Sequence, residues 1–181
     1  MQFQVFGEKE VELFEPVGRA AIMRIQSSWA VRPYRPLKRA DKYAQVFTYT
    51  FDDVITGLSS DADVRFSPRM AQQVLDDFDS VKTDLETLVV HCSRGKNRSP
   101  AIATGLAQAC GLADHIALVR RHPMMNYDIY KTLVEAAADK GLLRPPSPDA
   151  TVGDDFGTFL KGSNFFTHET YRWLKHATRT S

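Results

Sequence analysis

The run Val89-Val90-His91-Cys92-Ser93-Arg94-Gly95-Lys96-Asn97-Arg98-Ser99-Pro100 changes character twice. It opens as β-branched apolar sequence, turns through a loop containing Gly and Asn, and enters an apolar-periodic segment, which predicts strand, loop, helix. Five residues separate Cys92 from Arg98, a loop short enough to close round one tetrahedral anion. Its amide N–H groups can converge as a nest, with the N-terminus of the following helix aimed at the same point. Gly95 supplies the backbone freedom such a loop requires. Arg98, in the first helical turn, can grip two phosphate oxygens with its planar fork. The field that holds a dianion also favours a thiolate, so Cys92 is expected to ionise below the roughly 8.5 of a free thiol. A nucleophile beneath a phosphate site is the expected arrangement.

Upstream, Thr83-Asp84 turns the chain into the strand Leu88-Val89-Val90. Before it, Ser67-Pro68 opens a helix, Ser as cap and Pro at the first position, with Met70, Val74, Leu75 and Phe78 on its apolar face. Tyr43 to Phe51 alternates Val, Phe, Thr and Tyr as a strand does, and ends in Asp52-Asp53 with a loop over Thr56–Asp61. Ser27 to Arg39 holds Pro33 and Pro36 and reads as a loop, its Arg32, Arg35, Lys38 and Arg39 a solvated surface. Ala20 to Ile25 is apolar at nearly every position, as buried parallel strands are, and the opening segment suits an edge strand.

Downstream, Ile102, Leu106 and Ala109 form an apolar stripe that stops at Gly111, with Cys110 a structural residue at the helix end. Asp114–Arg121 predicts a short helix, and Tyr127–Lys140 a longer one with Ile129, Tyr130, Leu133, Val134 and Ala137 at helical spacing. Strands alternating with helices argue an α/β fold, a central mostly parallel sheet flanked by helices, over residues 1–143. Arg144-Pro145-Pro146-Ser147-Pro148 reads as a linker. The aromatic-rich remainder of 144–181 is expected to be a helical extension packed on the domain, with Ser163–Lys175 as its amphipathic helix.

The 181 residues suffice for one domain with a sizeable core, and 43% hydrophobic with 25% charged is ordinary soluble composition. Net charge is only +1, so no global field argues for nucleic acid or an anionic membrane. Phosphate attraction must be local, from Arg94, Lys96 and Arg98. Two cysteines make no disulfide framework and suit a reducing compartment. The N-terminus lacks the order of a signal peptide and no run reaches membrane-span length, so a cytoplasmic location is expected. The five histidines are scattered, and neither a metal nor another cofactor is expected.

With its flanking strand and helix, His91-Cys92-x-x-Gly95-x-x-Arg98-Ser99 resembles the signature loop of the cysteine-dependent protein tyrosine phosphatases, in their small dual-specificity-like branch. The likeness covers roughly Arg19 to Leu142 and implies the same phosphatase-like fold. It implies that Cys92 attacks phosphorus to form a phosphocysteine, and that Arg98 with the loop Ser93, Arg94, Gly95, Lys96 and Asn97 holds the phosphoryl oxygens. Ser99 would make the sulfur a better leaving group, and His91, grouped with the substrate-binding loop, would fix it through ring hydrogen bonds. In that family the proton donor is an Asp upstream of the Cys. Phe51-Asp52-Asp53 matches a pattern in some small members whose second Asp is the acid, so Asp53 is the choice. Asp52 is the reserve, and Asp61 and Asp63 also stand as candidates. His122-Pro123-Met124-Met125-Asn126 resembles a Pro-Asn segment of that family, so Asn126 braces the signature loop or caps a helix.

The partner implied is a phosphorylated protein, phosphotyrosine foremost, or another phosphomonoester. Lys96 resembles the phosphoinositide phosphatases, and Gly95-x-Asn97-Arg98 the RNA 5′-triphosphatases, of the same superfamily. Nucleic acid therefore enters only as a 5′-phosphorylated RNA substrate, and a membrane is not an expected partner. A phospho-residue binding module without turnover is the non-enzymatic alternative. Oligomeric state is open at this level.

Overall fold

The computed structural model describes residues 1–30, 34, 36–54, 60–112 and 114–143. Four strands, β1 (Gln2–Gly7), β2 (Ala20–Gln26), β3 (Tyr43–Thr50) and β4 (Thr87–Cys92), form one sheet in the order β1-β4-β2-β3. Among the described residues every pairing is parallel, so the expected mostly parallel sheet is wholly parallel there. β1 is an edge strand as expected, and β2 and β4, the apolar ones, take the centre. β4 is buried at all its positions because it has a strand on either side and cover on both faces.

One sheet face, carrying Phe3, Met23, Ile25, Leu88 and Val90, packs against α2 (Pro68–Asp79), α3 (Arg98–Ala109) and α5 (Tyr127–Asp139). The other is covered more thinly: Val11 of α1 (Glu8–Val11), Phe14 and Leu37 lie over Ala20, Ile22 and Val89. α4 (Asp114–Arg121) packs on α3. Ser67 Oγ accepts from Met70 N at 3.3 Å and Pro68 sits at the first helical position, as the sequence predicts for α2. Tyr49 donates to Asp77 Oδ2 at 2.8 Å and ties β3 to that helix.

α3 departs from the single stripe expected of it. It is buried on nearly every side, since the sheet, α4 and α5 all enclose it. A helix with that environment puts small residues where neighbours come close, and Gly105 does so here: a Cβ would lie 2.8 Å from Leu133 Cδ2. The linker and extension at 144–181 lie outside the described residues, as do Arg32, Pro33, Arg35 and 55–59. Among the described residues no helix is long and apolar enough to cross a membrane.

Candidate active site

β4 carries Cys92 to the carboxyl end of the parallel sheet, where open α/β folds form their ligand crevices. The chain then turns through 93–97 into α3. Gly95 makes the turn possible at φ +69°, a left-handed conformation. It also allows a close seat: a Cβ there would lie 2.5 Å from Gly7 N and 2.7 Å from Phe6 C. The loop thus rests on the end of β1, where Glu8 N donates to Ser93 O at 3.3 Å.

Cys92 is almost fully buried, with Sγ 3.2 Å from Ser99 Oγ and 3.3 Å from Gly95 N, both donors. Burial pushes the thiol up. The Ser99 hydroxyl, the amides of Ser99 and Arg94, and the Arg98 charge outweigh it, and the net displacement is downward. Arg98 is held at both ends of its fork: Nη1 donates to Phe51 O at 2.8 Å and Nη2 to Ser93 Oγ at 3.1 Å. A guanidinium so fixed has lost its rotamer freedom before an anion arrives. Ser93, Arg94 and Lys96 are exposed around the loop, and Asn97 is half-buried.

The two adjacent carboxyls part company. Asp52 is buried: Oδ1 accepts from Ser28 N at 2.9 Å, Oδ2 accepts from Val64 N at 2.9 Å, and Ser28 Oγ donates to Oδ2 as well. Burial raises its pKa, but the Ser28 hydroxyl, the two amides and the Arg98 charge carry it below the ordinary carboxylate value. It is an ionised acceptor stitching the end of β3 to the turn after β2. Asp53 is exposed, and its Oδ1 accepts from Asn126 Nδ2 at 2.9 Å. Asp61 is exposed, and Asp63 closes its own turn by accepting from Ser60 N at 2.7 Å.

Asn126 fills both roles weighed for it. Its Oδ1 accepts from Ile129 N at 3.2 Å as the cap of α5, and its main-chain N donates to Asn97 O at 3.0 Å, bracing the loop. His91, grouped with the substrate-binding loop, is fully buried in β4 and faces β2, where its Nε2 accepts from Arg24 Nε at 3.2 Å. It supports the strand and does not line the loop. Its ring lies 4.8 Å from that of Tyr34, and the Arg24 guanidinium sits 5.0 Å above the Tyr34 ring.

Arg24, Ser28 and Tyr34 are the neighbours that reading the sequence missed. Arg24 had a signal, one charge inside the apolar Ala20–Ile25 run, whereas Ser28 and Tyr34 sit in irregular chain with no pattern to mark them. Among the described residues no group of three or more His, Cys, Asp or Glu is arranged to hold a metal ion.

No protein-family model and no curated protein matches the chain. Among solved structures it is similar to Tk-PTP in the active form, with TM-score 0.47 and 17% identity over 74% of this chain and 90% of that one. It is similar also to the human tyrosine phosphatase-like serine/threonine/tyrosine-interacting protein, with TM-score 0.45 and 17% identity over 68% and 79%. A third is PTPMT1 in complex with PI(5)P, with TM-score 0.46 and 12% identity over 67% and 78%. The chain itself has an α/β fold with a wholly parallel sheet and a Cys-to-Arg loop at the carboxyl end of a central strand.

Proposed function

We propose that this chain is a cysteine-dependent phosphatase that hydrolyses phosphoric monoesters through a phosphocysteine intermediate, with phosphotyrosine proteins as its substrates. One observation carries the reading: the Cys92 sulfur accepts from Ser99 Oγ and Gly95 N in the same short loop whose Arg98 fork is already clamped. A phosphate ester resists attack because nucleophile and electrophile are both negative, so positioning and charge neutralisation supply most of the catalysis. In the first step the Cys92 thiolate forms the S–P bond as the P–O bond to the leaving group breaks. Arg98 and the loop amides hold the equatorial oxygens, and the Asp53 carboxyl gives its proton to the leaving oxygen. In the second, the Asp53 carboxylate takes a proton from water, the new P–O bond forms, and the S–P bond breaks to return a thiolate stabilised by Ser99. A thiolate that must stay reduced suits the cytoplasm.

The test is turnover of p-nitrophenyl phosphate beside phosphopeptides, phosphoinositides and RNA 5′-triphosphates, by wild type, Cys92→Ser and Asp53→Asn. Cys92→Ser should abolish turnover yet still bind vanadate. Asp53→Asn should lose about 10²–10⁴-fold on phosphotyrosine peptides. Chelators should change nothing. Metal-dependent turnover surviving Cys92→Ser would overturn the mechanism, and a strong preference for phosphoinositides or RNA would move the substrate to those classes.

A further inference from the structure

We propose that Asn126 is the positioning residue of the proton donor, its side-chain amide fixing the Asp53 carboxyl relative to Arg98. This rests on the assignment of Asp53 above. The helix cap does not explain why position 126 is Asn: capping Ile129 N needs only an acceptor oxygen, and Ser or Asp would serve as well. The amide nitrogen is what distinguishes Asn, and both of its protons go to the segment that follows β3. One goes to Asp53 Oδ1 at 2.9 Å, the other to Val54 O, also at 2.9 Å. The side chain is nearly buried, and its three bonds use both donors and one acceptor site of the group. With Oδ1 held by an N–H, the carboxyl plane is set and Oδ2 is the oxygen left to carry the transferable proton.

The contacts also close a ring. Arg98 reaches Phe51 O through Nη1, and the chain runs from Phe51 to Asp53. Asp53 meets the Asn126 side chain, and Asn126 N returns to Asn97 O, one residue before Arg98. The guanidinium that holds the phosphoryl group and the acid that protonates the leaving oxygen are therefore surveyed from one residue. Errors of about 1 Å in such placement cost on the order of 10²-fold in rate.

The experiment compares Asn126→Ser with wild type on two substrates. One is p-nitrophenyl phosphate, whose phenolate leaves readily; the other is phenyl phosphate, whose leaving oxygen needs a proton. Ser keeps the cap acceptor and deletes both amide donors, so the melting temperature should move little while kcat on phenyl phosphate falls about 10- to 100-fold. The loss on p-nitrophenyl phosphate should be several-fold smaller, and Asn126→Ser added to Asp53→Asn should cost nothing more. Equal losses on both substrates, or the same loss with and without Asp53, would overturn the inference and leave the proton donor in place. An Asp53→Asn variant with unaltered leaving-group dependence would take down both. Asn126→Thr, which also keeps a cap acceptor and removes both amide donors without adding a charge beside Asp53, should repeat the pattern, and does so independently of any folding defect in the Ser variant.

Discussion

His91 and Cys92 are adjacent and electrostatically opposite. The donors round Cys92 favour its charged form, while burial, reinforced by the Arg24 charge, takes His91 down to about 4 from its ordinary 6.5. His91 is therefore a neutral ring at neutral pH and lends no positive charge to the Cys92 sulfur; the groups that favour its ionisation are the Ser99 hydroxyl, the loop amides and the Arg98 charge. With Nε2 accepting from Arg24 the neutral ring carries its proton on Nδ1, so a second proton would have to displace the Arg24 hydrogen bond. The folded pKa lies below the unfolded one, so the unfolded ring takes up a proton first as pH falls. The stabilising contribution is complete above 6.5, drains between 6.5 and about 4, and levels off below. The whole window is worth roughly 3 kcal/mol. Urea unfolding of wild type and His91→Gln at pH 7 and pH 5 should show the wild type losing more stability, and parallel losses would refute it. The loop residues were legible in the sequence, because Cys92, Gly95, Arg98 and Ser99 share a spacing that few other purposes require. The sequence ranked Asp53 above Asp52 only through the family pattern, since the physical division between them is made by Ser28, Val64 and Asn126, none of them a neighbour in the chain.

Among the elements, α3 has the most demanding environment. Its first turn supplies Arg98 and Ser99, and its middle passes within van der Waals reach of α5 at Gly105 and Leu133. A shift of this helix would therefore move the fork and the hydroxyl together. Gly105→Val should cost roughly 1–3 kcal/mol by overpacking. Gly141→Ala meets no atom within 4 Å, although its φ of +66° strains any side chain, so its cost should be about 1 kcal/mol and purely local. Chemical denaturation ranks the two, and activity should fall with Gly105→Val alone. Helix ends were readable where they carry chemistry: Ser67-Pro68 starts α2, and α4 spans Asp114–Arg121 as its sequence predicts. The all-round burial of α3 was not, because a stripe at Ile102 and Leu106 looks the same whether the opposite face meets water or another helix through Ala, Thr and Gly.

At the scale of the molecule, the site gathers its parts from the end of β3, the end of β4 and the start of α3, so an anion seated there bridges segments the chain joins only at a distance. Bound vanadate or tungstate should accordingly stabilise the whole fold, by about 2.7 kcal/mol at a hundredfold excess over Kd. Thermal melts should show a rise of several degrees that Cys92→Ser retains and Arg98→Lys largely loses. No rise in either protein would argue against a preformed anion site. Strand content and parallel class were legible because alternating strands and helices leave few other choices. The order β1-β4-β2-β3 was not, because neighbours in a sheet are chosen by contacts between segments remote in sequence. One such contact constrains ancestry as well as shape. A methyl on Gly95 would collide with the backbone of Gly7, and one on Gly7 would press within 3.2 Å of Arg94 C. Descendants of this gene that enlarge residue 7 should therefore also carry lengthened or rerouted chain between Cys92 and Arg98, a covariation that sequences alone can display.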